Sequence, residues 1–165
     1  MTPTPRIVKT NLYYALIIGL FFCLTSCNQG EVYYQYRLIP ASQWQKSAVL
    51  GFVPDSLNVI PSKQYDLYIE IINNNMYKYQ NIWLIIDQNI ESRTMKSDTI
   101  EIKIADQYGK WYGSGTGGLH QISYTYKQGL SLDSTQQYLI YLKQYMTDDP
   151  LKGIEKVGIK IQETI

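Results

Sequence analysis

Few residues of this chain are suited to chemistry: it holds one histidine, His120, and two cysteines, Cys23 and Cys27. A zinc site needs several nitrogen or sulfur ligands, and a catalytic serine needs a histidine oriented by a carboxylate. The chain contains neither the G-x-S-x-G motif of serine hydrolases nor the spaced aspartates of a calcium loop. The sequence therefore predicts no catalytic residues, no metal site and no enzymatic activity.

The glycine-rich segment Gly113–Gly118 contains a G-x-G-x-x-G pattern, and Asp133 follows it at the spacing found in dinucleotide-binding folds. Such a fold also requires a helix directly after the glycines. Residues 119–126 instead alternate polar and apolar side chains, which is typical of a strand. We therefore expect a tight bend between strands and no bound cofactor.

Aromatic residues supply the remaining candidates for binding. The chain has 16 Tyr against 3 Phe, and Trp111, Tyr112 and His120 flank the glycine-rich segment. Tyrosine suits a half-buried strand because its ring packs while its hydroxyl stays in water, and the same property suits a ligand-binding face. We predict a partner surface at Trp111, Tyr112 and His120, and the tyrosines leave glycan binding open as a second hypothesis.

The N-terminus has the features of an export signal. Residues 1–11 carry Arg6 and Lys9 without an acidic residue, and the 13-residue apolar run Leu12–Leu24 is short for a transmembrane helix, which needs about 20 residues. Leu24-Thr25-Ser26-Cys27 resembles the lipobox of bacterial lipoproteins, which implies cleavage before Cys27 and attachment of diacylglycerol and an acyl chain such as palmitate. A membrane-spanning anchor, or ordinary cleavage that leaves a free thiol, are the alternatives.

Three segments follow from that interpretation: signal peptide 1–26, lipidated cysteine and tether 27–31, and a single domain 32–165. Loss of Arg6 and Lys9 changes the formal net charge from +1 to −1, so lipid headgroups and nucleic acids meet no strongly basic surface. Membrane association then depends on two or more acyl chains. The four tether residues after Cys27 reach at most about 14 Å, so we expect the domain close to its membrane. We expect a periplasm-facing anchor, and the outer membrane is favoured over the inner membrane.

Period-two alternation of apolar residues dominates the predicted domain. It predicts strands with one buried face at segments such as Tyr65–Ile71, Ile100–Ile104 and Val157–Ile161. Ile82–Ile86 is apolar on both faces, which predicts a central strand with Trp83 in the core. Further strands are expected at Val32–Ile39, Ala48–Val53, Ile122–Tyr126 and Tyr138–Tyr145, and turns at Pro54-Asp55, Asp87–Asn89, Asp106–Gly109 and Asp148–Pro150. The predicted fold is all-β: a single antiparallel sandwich of about eight or nine strands, jelly-roll-like or immunoglobulin-like.

Four segments also carry a family pattern: Asn73–Leu84 with Tyr77-Lys78-Tyr79-Gln80-Asn81-Ile82-Trp83, Asp98-Thr99, Ile104–Gly115, and Met146–Gly158. Their order and spacing resemble the GldH family, the gliding-motility lipoproteins of Bacteroidota. The resemblance implies a lipid-anchored, non-enzymatic accessory of the gliding machinery or a related envelope assembly, with envelope proteins as partners. A glycan-binding envelope lipoprotein is the alternative.

Overall fold

A computed structural model describes residues 30–54 and 57–164 of the chain. These residues form strands and one short 3-10 helix, Pro40–Ser42. The strands are β1 Glu31–Leu38, β2 Gln43–Trp44, β3 Leu50–Phe52, β4 Tyr65–Asn74, β5 Asn81–Gln88, β6 Lys96–Lys103, β7 Leu119–Leu130, β8 Ile140–Gln144, β9 Leu151–Lys152 and β10 Ile154–Glu163. The all-β prediction is confirmed.

Eight strands form two four-stranded antiparallel sheets. The first sheet has the order β1-β10-β4-β7, the second has the order β3-β8-β5-β6, and β2 pairs separately with β9. Along the chain, the eight strands of the two sheets alternate between the sheets, except that β5 and β6 form a hairpin within the second sheet. Two packed sheets linked in this way form a jelly roll, so the topology selects this alternative over the immunoglobulin-like one.

The core lies between the sheets and consists of the alternating apolar residues. On β4, Leu67, Ile69 and Ile71 are fully buried, and their partners on β10 and on the facing strands of the second sheet are buried as well. Such burial stabilises the fold by roughly 1.5–3 kcal/mol for each large aliphatic side chain. The period-two pattern therefore identified the inward faces correctly.

Two local predictions on β5 are wrong. Trp83 is 38% exposed on the outer face of the second sheet, because the neighbouring residues Ile82 and Leu84 point into the core. The predicted turn at Asp87–Asn89 begins later, because β5 continues through Gln88, which is fully buried. The Gln88 side chain accepts a hydrogen bond from the Ile90 amide at 2.6 Å and donates one to Glu91, so its burial leaves the amide group satisfied.

The sandwich has two distinct ends, which we call the N-terminal end and the glycine-rich end. At the N-terminal end, Gly30 precedes β1, and the carbonyl of Gly30 accepts the amide of Glu163 at 2.7 Å. At the glycine-rich end, β4 stops at Asn74, which pairs with Leu119 at the start of β7. From Asp66 to Asn74 the strand spans about 26 Å at about 3.3 Å per residue, and this distance separates the two ends.

The predicted signal peptide and Cys27 lie outside the described residues. Among the residues that the structure does describe, no helix has the length and apolar character needed to cross a membrane.

Candidate interaction surface at the glycine-rich end

The glycine-rich segment folds back against the first residues of β7. Ser114 and Gln121 exchange backbone hydrogen bonds of 3.1 and 2.9 Å, which adds a short strand-like piece at the edge of the first sheet. A Cβ atom at Gly113 would lie 2.6 Å from the Gln121 carbonyl oxygen, and one at Gly115 would clash with the Leu119 carbonyl. Glycine is therefore required by close backbone approach, and the predicted bend between strands is confirmed.

Trp111 and His120 meet across this bend. Their ring centroids are 5.5 Å apart and their planes are inclined at 31°. Trp111 is half-buried and packs against the core, with its ring centroid 6.4 Å from that of Tyr77. The hydroxyl of the buried Tyr77 donates to the Asn81 carbonyl at 2.7 Å, and burial raises the pKa of Tyr77 well above its usual value. The buried Tyr77 therefore supports the Trp111 ring on the side that faces the core.

His120 lies on the outer side of this group. Its Nε2 atom is 3.0 Å from the side-chain oxygen of Asn75. A Cβ atom at Gly118, where φ is +79°, would lie 3.1 Å from the Asn75 side-chain nitrogen. The imidazole therefore has an amide partner and no serine or carboxylate partner at this nitrogen. Trp111, His120 and Asn75 present a small, mainly aromatic surface held by the bend.

Tyr112 belongs to a neighbouring feature. Its amide binds the Ile104 carbonyl at 2.9 Å, and its side chain, which is 58% exposed, borders a groove of ≈ 730 Å³. The structure therefore brings Trp111 and His120 into one group and places Tyr112 at the edge of the groove. Tyr79, Asn81, Glu101, Lys103, Gln107 and Tyr108 are also among the groove residues.

The groove is built on a hairpin that joins β6 to the glycine-rich segment. The Gln80 carbonyl accepts the amides of Ile104 and Ala105 at 2.8 and 3.0 Å, and Ala105 pairs with Trp111. At the tip, one carboxylate oxygen of Asp106 accepts the amides of Tyr108 and Lys110 at 2.8 and 2.9 Å. The predicted turn at Asp106–Gly109 is thus confirmed, and it holds Tyr108 with 85% of its surface exposed.

Charges around the groove are largely paired. The Lys78 ammonium lies 2.9 Å from Asp148 and 5.1 Å from the centre of the Tyr79 ring. The hydrogen bond to Asp148 raises the pKa of Lys78, and the same bond lowers the pKa of Asp148. Across the mouth, the Asn81 amide donates to Glu101 at 2.5 Å. The groove therefore combines exposed tyrosine rings with amide and carboxylate groups and no strong excess of one charge.

The other sequence candidates have separate partners. Asp148 binds Lys78, whereas Asp149 accepts the Lys46 amide at 3.0 Å, so the two adjacent carboxylates of the turn bind different partners. Asp133 accepts both the amide and the hydroxyl of Thr135 at 2.8 Å. Within residues 30–54 and 57–164, no three His, Cys, Asp or Glu side chains converge to hold a metal ion.

The sequence patterns do not indicate the groove residues Tyr79, Glu101 and Tyr108. One usable signal was present, because a large aromatic residue inside an Asp-x-x-Gly turn has no room to turn inward and is expected to be exposed. No signal linked Tyr108 to Glu101, because their proximity depends on how the hairpin packs beside β6.

Comparison with known proteins identifies the family. The family model described as GldH lipoprotein matches residues 31–161. The gliding motility lipoprotein GldH homolog of Christiangramia forsetii is 30% identical over 156 residues, which covers 90% of this chain and 94% of that protein. The gliding motility lipoprotein GldH of Flavobacterium johnsoniae is 28% identical over 148 residues, covering 85% and 89%.

A solved structure, the infectious bursal disease virus VP2 subviral particle, aligns with 81% of this chain and 31% of its own chain, at 11% identity. Its TM-score of 0.22 is too low to show a shared fold. The family model, in contrast, spans nearly the whole described domain and agrees with the two curated relatives. This chain therefore belongs to the GldH lipoprotein family.

Proposed function

We propose that this protein is a lipid-anchored, non-enzymatic accessory of the gliding machinery or of a related envelope assembly, and that it acts through protein contacts. The family membership and the names of the two relatives support the gliding context. The surface formed by Trp111, His120 and Asn75 is the proposed contact site for an envelope protein.

The main support for this proposal is that the N-terminal end and the glycine-rich end lie at opposite ends of the sandwich. Gly30 follows Cys27 by three residues, which reach about 10 Å, so a lipid on Cys27 would hold the N-terminal end near the membrane. The glycine-rich end lies about 26 Å farther along β4. An anchored domain of this shape presents its aromatic group away from the lipid, toward proteins that extend from the same membrane.

The contacts of the candidate catalytic side chains support a non-enzymatic role. His120 faces the amide of Asn75, Asp148 is neutralised by Lys78, and Asp133 stabilises its own turn. General acid–base or nucleophilic catalysis requires a base within hydrogen-bond reach of the group that it activates. These three groups instead form local structural contacts.

Anchoring is tested by fractionation of the Cys27→Ala variant. We expect the wild-type protein in the outer-membrane fraction of a density gradient and resistant to an alkaline wash, because two or more acyl chains bind stably. The variant should be released. Retention of Cys27→Ala in the washed membranes would contradict lipid anchoring at this residue, and wild-type protein in the inner-membrane fraction would correct the membrane assignment.

The contact surface is tested by photocrosslinking in intact cells. A photoreactive amino acid replaces Leu119, which is 41% exposed beside the bend, or Ile60, which is 48% exposed near the start of β4 at the N-terminal end. We expect a discrete protein adduct from position 119 and none of the same mass from position 60. Identical adducts from both positions, or no discrete adduct from 119, would refute the proposed surface.

A further inference from the structure

We propose that the groove beside Tyr108 and Tyr112 binds a neutral oligosaccharide of the cell envelope. This inference goes beyond the proposed protein contacts, because the groove lies next to the surface of Trp111 and His120 and uses different residues. Its volume of ≈ 730 Å³ lies within the range of small-ligand sites.

The groove presents exposed tyrosine rings. Tyr108 and Tyr112 are 85% and 58% exposed, although a large aromatic side chain gains stability when it is buried. Both are held on a rigid backbone, Tyr108 by the Asp106 carboxylate and Tyr112 by the Ile104 carbonyl. Tyrosine side chains on backbone held in this way offer flat apolar faces and have few rotatable bonds, and the C–H faces of a pyranose ring are suited to stack on them.

The groove also contains polar side chains that can bind hydroxyl groups. The Asn81 amide and the Glu101 carboxylate form a hydrogen-bonded pair at the mouth of the groove, and Gln107 lies along its wall. A carboxylate that accepts one hydrogen bond can accept others, and a side-chain amide both donates and accepts hydrogen bonds. Paired groups of this kind match the vicinal hydroxyls of a sugar, each of which donates and accepts.

The balance of charge around the groove favours neutral sugars. Lys78 is already paired with Asp148. The other lysine of the groove, Lys103, shares it with two carboxylates, Glu101 and Asp106. An anionic polymer would approach two carboxylates with one unpaired ammonium, which gives no net attraction. The outer face continues past Asn81 to Trp83, which lies opposite Glu101 and is 38% exposed. A chain of several sugar units therefore has a further ring along its path.

The experiment uses the full lipidated protein in detergent, titrated by calorimetry with maltohexaose, mannohexaose and chitotetraose as neutral probes and trigalacturonate as the anionic probe. We expect millimolar or tighter binding of at least one neutral probe. The Tyr108→Ala, Tyr112→Ala double variant should weaken it about tenfold or more, which corresponds to about 1.4 kcal/mol. The matched double Phe variant should stay within about threefold, because the rings are retained.

The Tyr34→Ala variant is the surface control, because Tyr34 is 41% exposed on β1 of the first sheet and lies outside the groove. It should bind the neutral probe like the wild type. Failure of all neutral probes, preference for trigalacturonate, or equal binding by the double alanine variant would overturn the proposal. The photocrosslink from position 119 should persist in the double alanine variant, so failure of this site is distinguishable from failure of the protein-contact surface.

Discussion

The outer faces of the two sheets share a feature but differ in how closely they are packed. In the first sheet Tyr36 of β1 lies opposite Gly158 of β10, and in the second sheet Tyr141 of β8 lies opposite Gly51 of β3. A Cβ atom at Gly158 would lie 2.6 Å from the Tyr36 ring, whereas one at Gly51 would lie 3.3 Å from Tyr141. The same glycine–tyrosine pairing is therefore compressed on one face and relaxed on the other.

The compressed face covers a buried charge. Glu70 of β4 points to the outside of the first sheet, yet it is only 1% exposed. It accepts hydrogen bonds from Ser123 at 2.7 Å and Gln121 at 3.1 Å, and Lys160 lies 3.5 Å away. Across the outer surface the hydroxyls of Tyr34 and Tyr36 are 2.5 Å apart, and Gln121 also donates to Tyr34. These contacts make the outer face of the first sheet a closed polar network.

The relaxed face has no comparable network in the described residues. Trp83 and Tyr145 remain 38% and 61% exposed, and the ion pair of Lys143 with Asp87 lies near the surface. On the outer face of the first sheet the polar groups therefore bind one another. On the outer face of the second sheet, rings and charges remain available to a ligand or partner. The groove, which is partly formed by β5 and β6, lies at one end of this second face.

The largest expected difference comes from removing one lysine on each face. Lys160→Met keeps the apolar stem but leaves the buried Glu70 carboxylate without its cation, so we expect a loss of about 2–3 kcal/mol in the free energy of unfolding. Lys143→Met breaks an exposed pair and should cost less than about 1 kcal/mol. Urea denaturation measures both, and equal losses would show that the first face is not the more tightly coupled one.

Alanine at the two glycines is expected to give the next largest difference. In Gly158→Ala the new Cβ atom would lie 2.6 Å from the Tyr36 ring and 3.0 Å from the Gln35 carbonyl oxygen. The Tyr36 ring must move, so the substitution should cost about 2 kcal/mol. Gly51→Ala requires only a small shift of the Tyr141 ring and should cost less than about 1 kcal/mol. Combining Gly158→Ala with Tyr36→Ala should recover part of the loss. Strict additivity in that double variant would argue against the steric cause.

A smaller effect is expected for Trp83. Because Trp83 lies on the open face, Trp83→Phe should cost less than about 1 kcal/mol. In a Trp111→Phe background, which removes the half-buried Trp111, it should also remove most of the fluorescence that iodide quenches. Trp44, which is 1% exposed, is inaccessible to the quencher. Unchanged quenching in the variant would mean that Trp83 is covered in solution.

The smallest effect concerns the ion pairs that join the edges of the two sheets. The Tyr126 hydroxyl and then Lys127 lower the pKa of Asp98, and Lys127 also lowers the pKa of Glu91. A lowered folded-state pKa contributes stability above the unfolded value of about 4, and this contribution is lost as the pH falls through the folded value. Lys127→Met should therefore cost less than about 1 kcal/mol near neutral pH.

The same variant gives the pH test of these edge contacts. The difference between wild type and Lys127→Met should shrink as both are unfolded at successively lower pH, from about 6 to about 3, because the two carboxylates become protonated. A difference that is constant over this range would assign the effect to packing of Lys127 on the Tyr126 ring, whose centre lies 4.8 Å from the ammonium.

Much of the fold was predictable from the strand pattern, and the errors have a physical cause. Alternation identified the inward residues of β4 and β10 because one buried face imposes period two. The doubly apolar run around Trp83 was misinterpreted because a two-layer sandwich buries only one face of each sheet, whatever the residues on the other. Gln88 was assigned to a turn because nothing in the sequence showed that its amide would be satisfied inside the fold.

The candidate site was predictable only in part. The glycines indicated a bend, and the adjacent Trp111 and the following His120 were sensible candidates at its sides. Their ring contact depends on the backbone approach at Gly113 and Gly115. Tyr112 was grouped with them by position along the chain, yet it borders the groove because it belongs to the hairpin anchored on Gln80.

By itself, the sequence determined the all-β class, the faces that point inward, the glycine bend and the family resemblance, because each depends on residues close together in the chain. Contacts between distant segments set the jelly-roll order, the burial of Glu70 on an outer face and the position of Tyr108 in the same groove as Glu101. Period two specifies which side of a strand is buried but not which strand lies beside it. Neighbours in a sheet such as β1 and β10 are set by packing of the whole core.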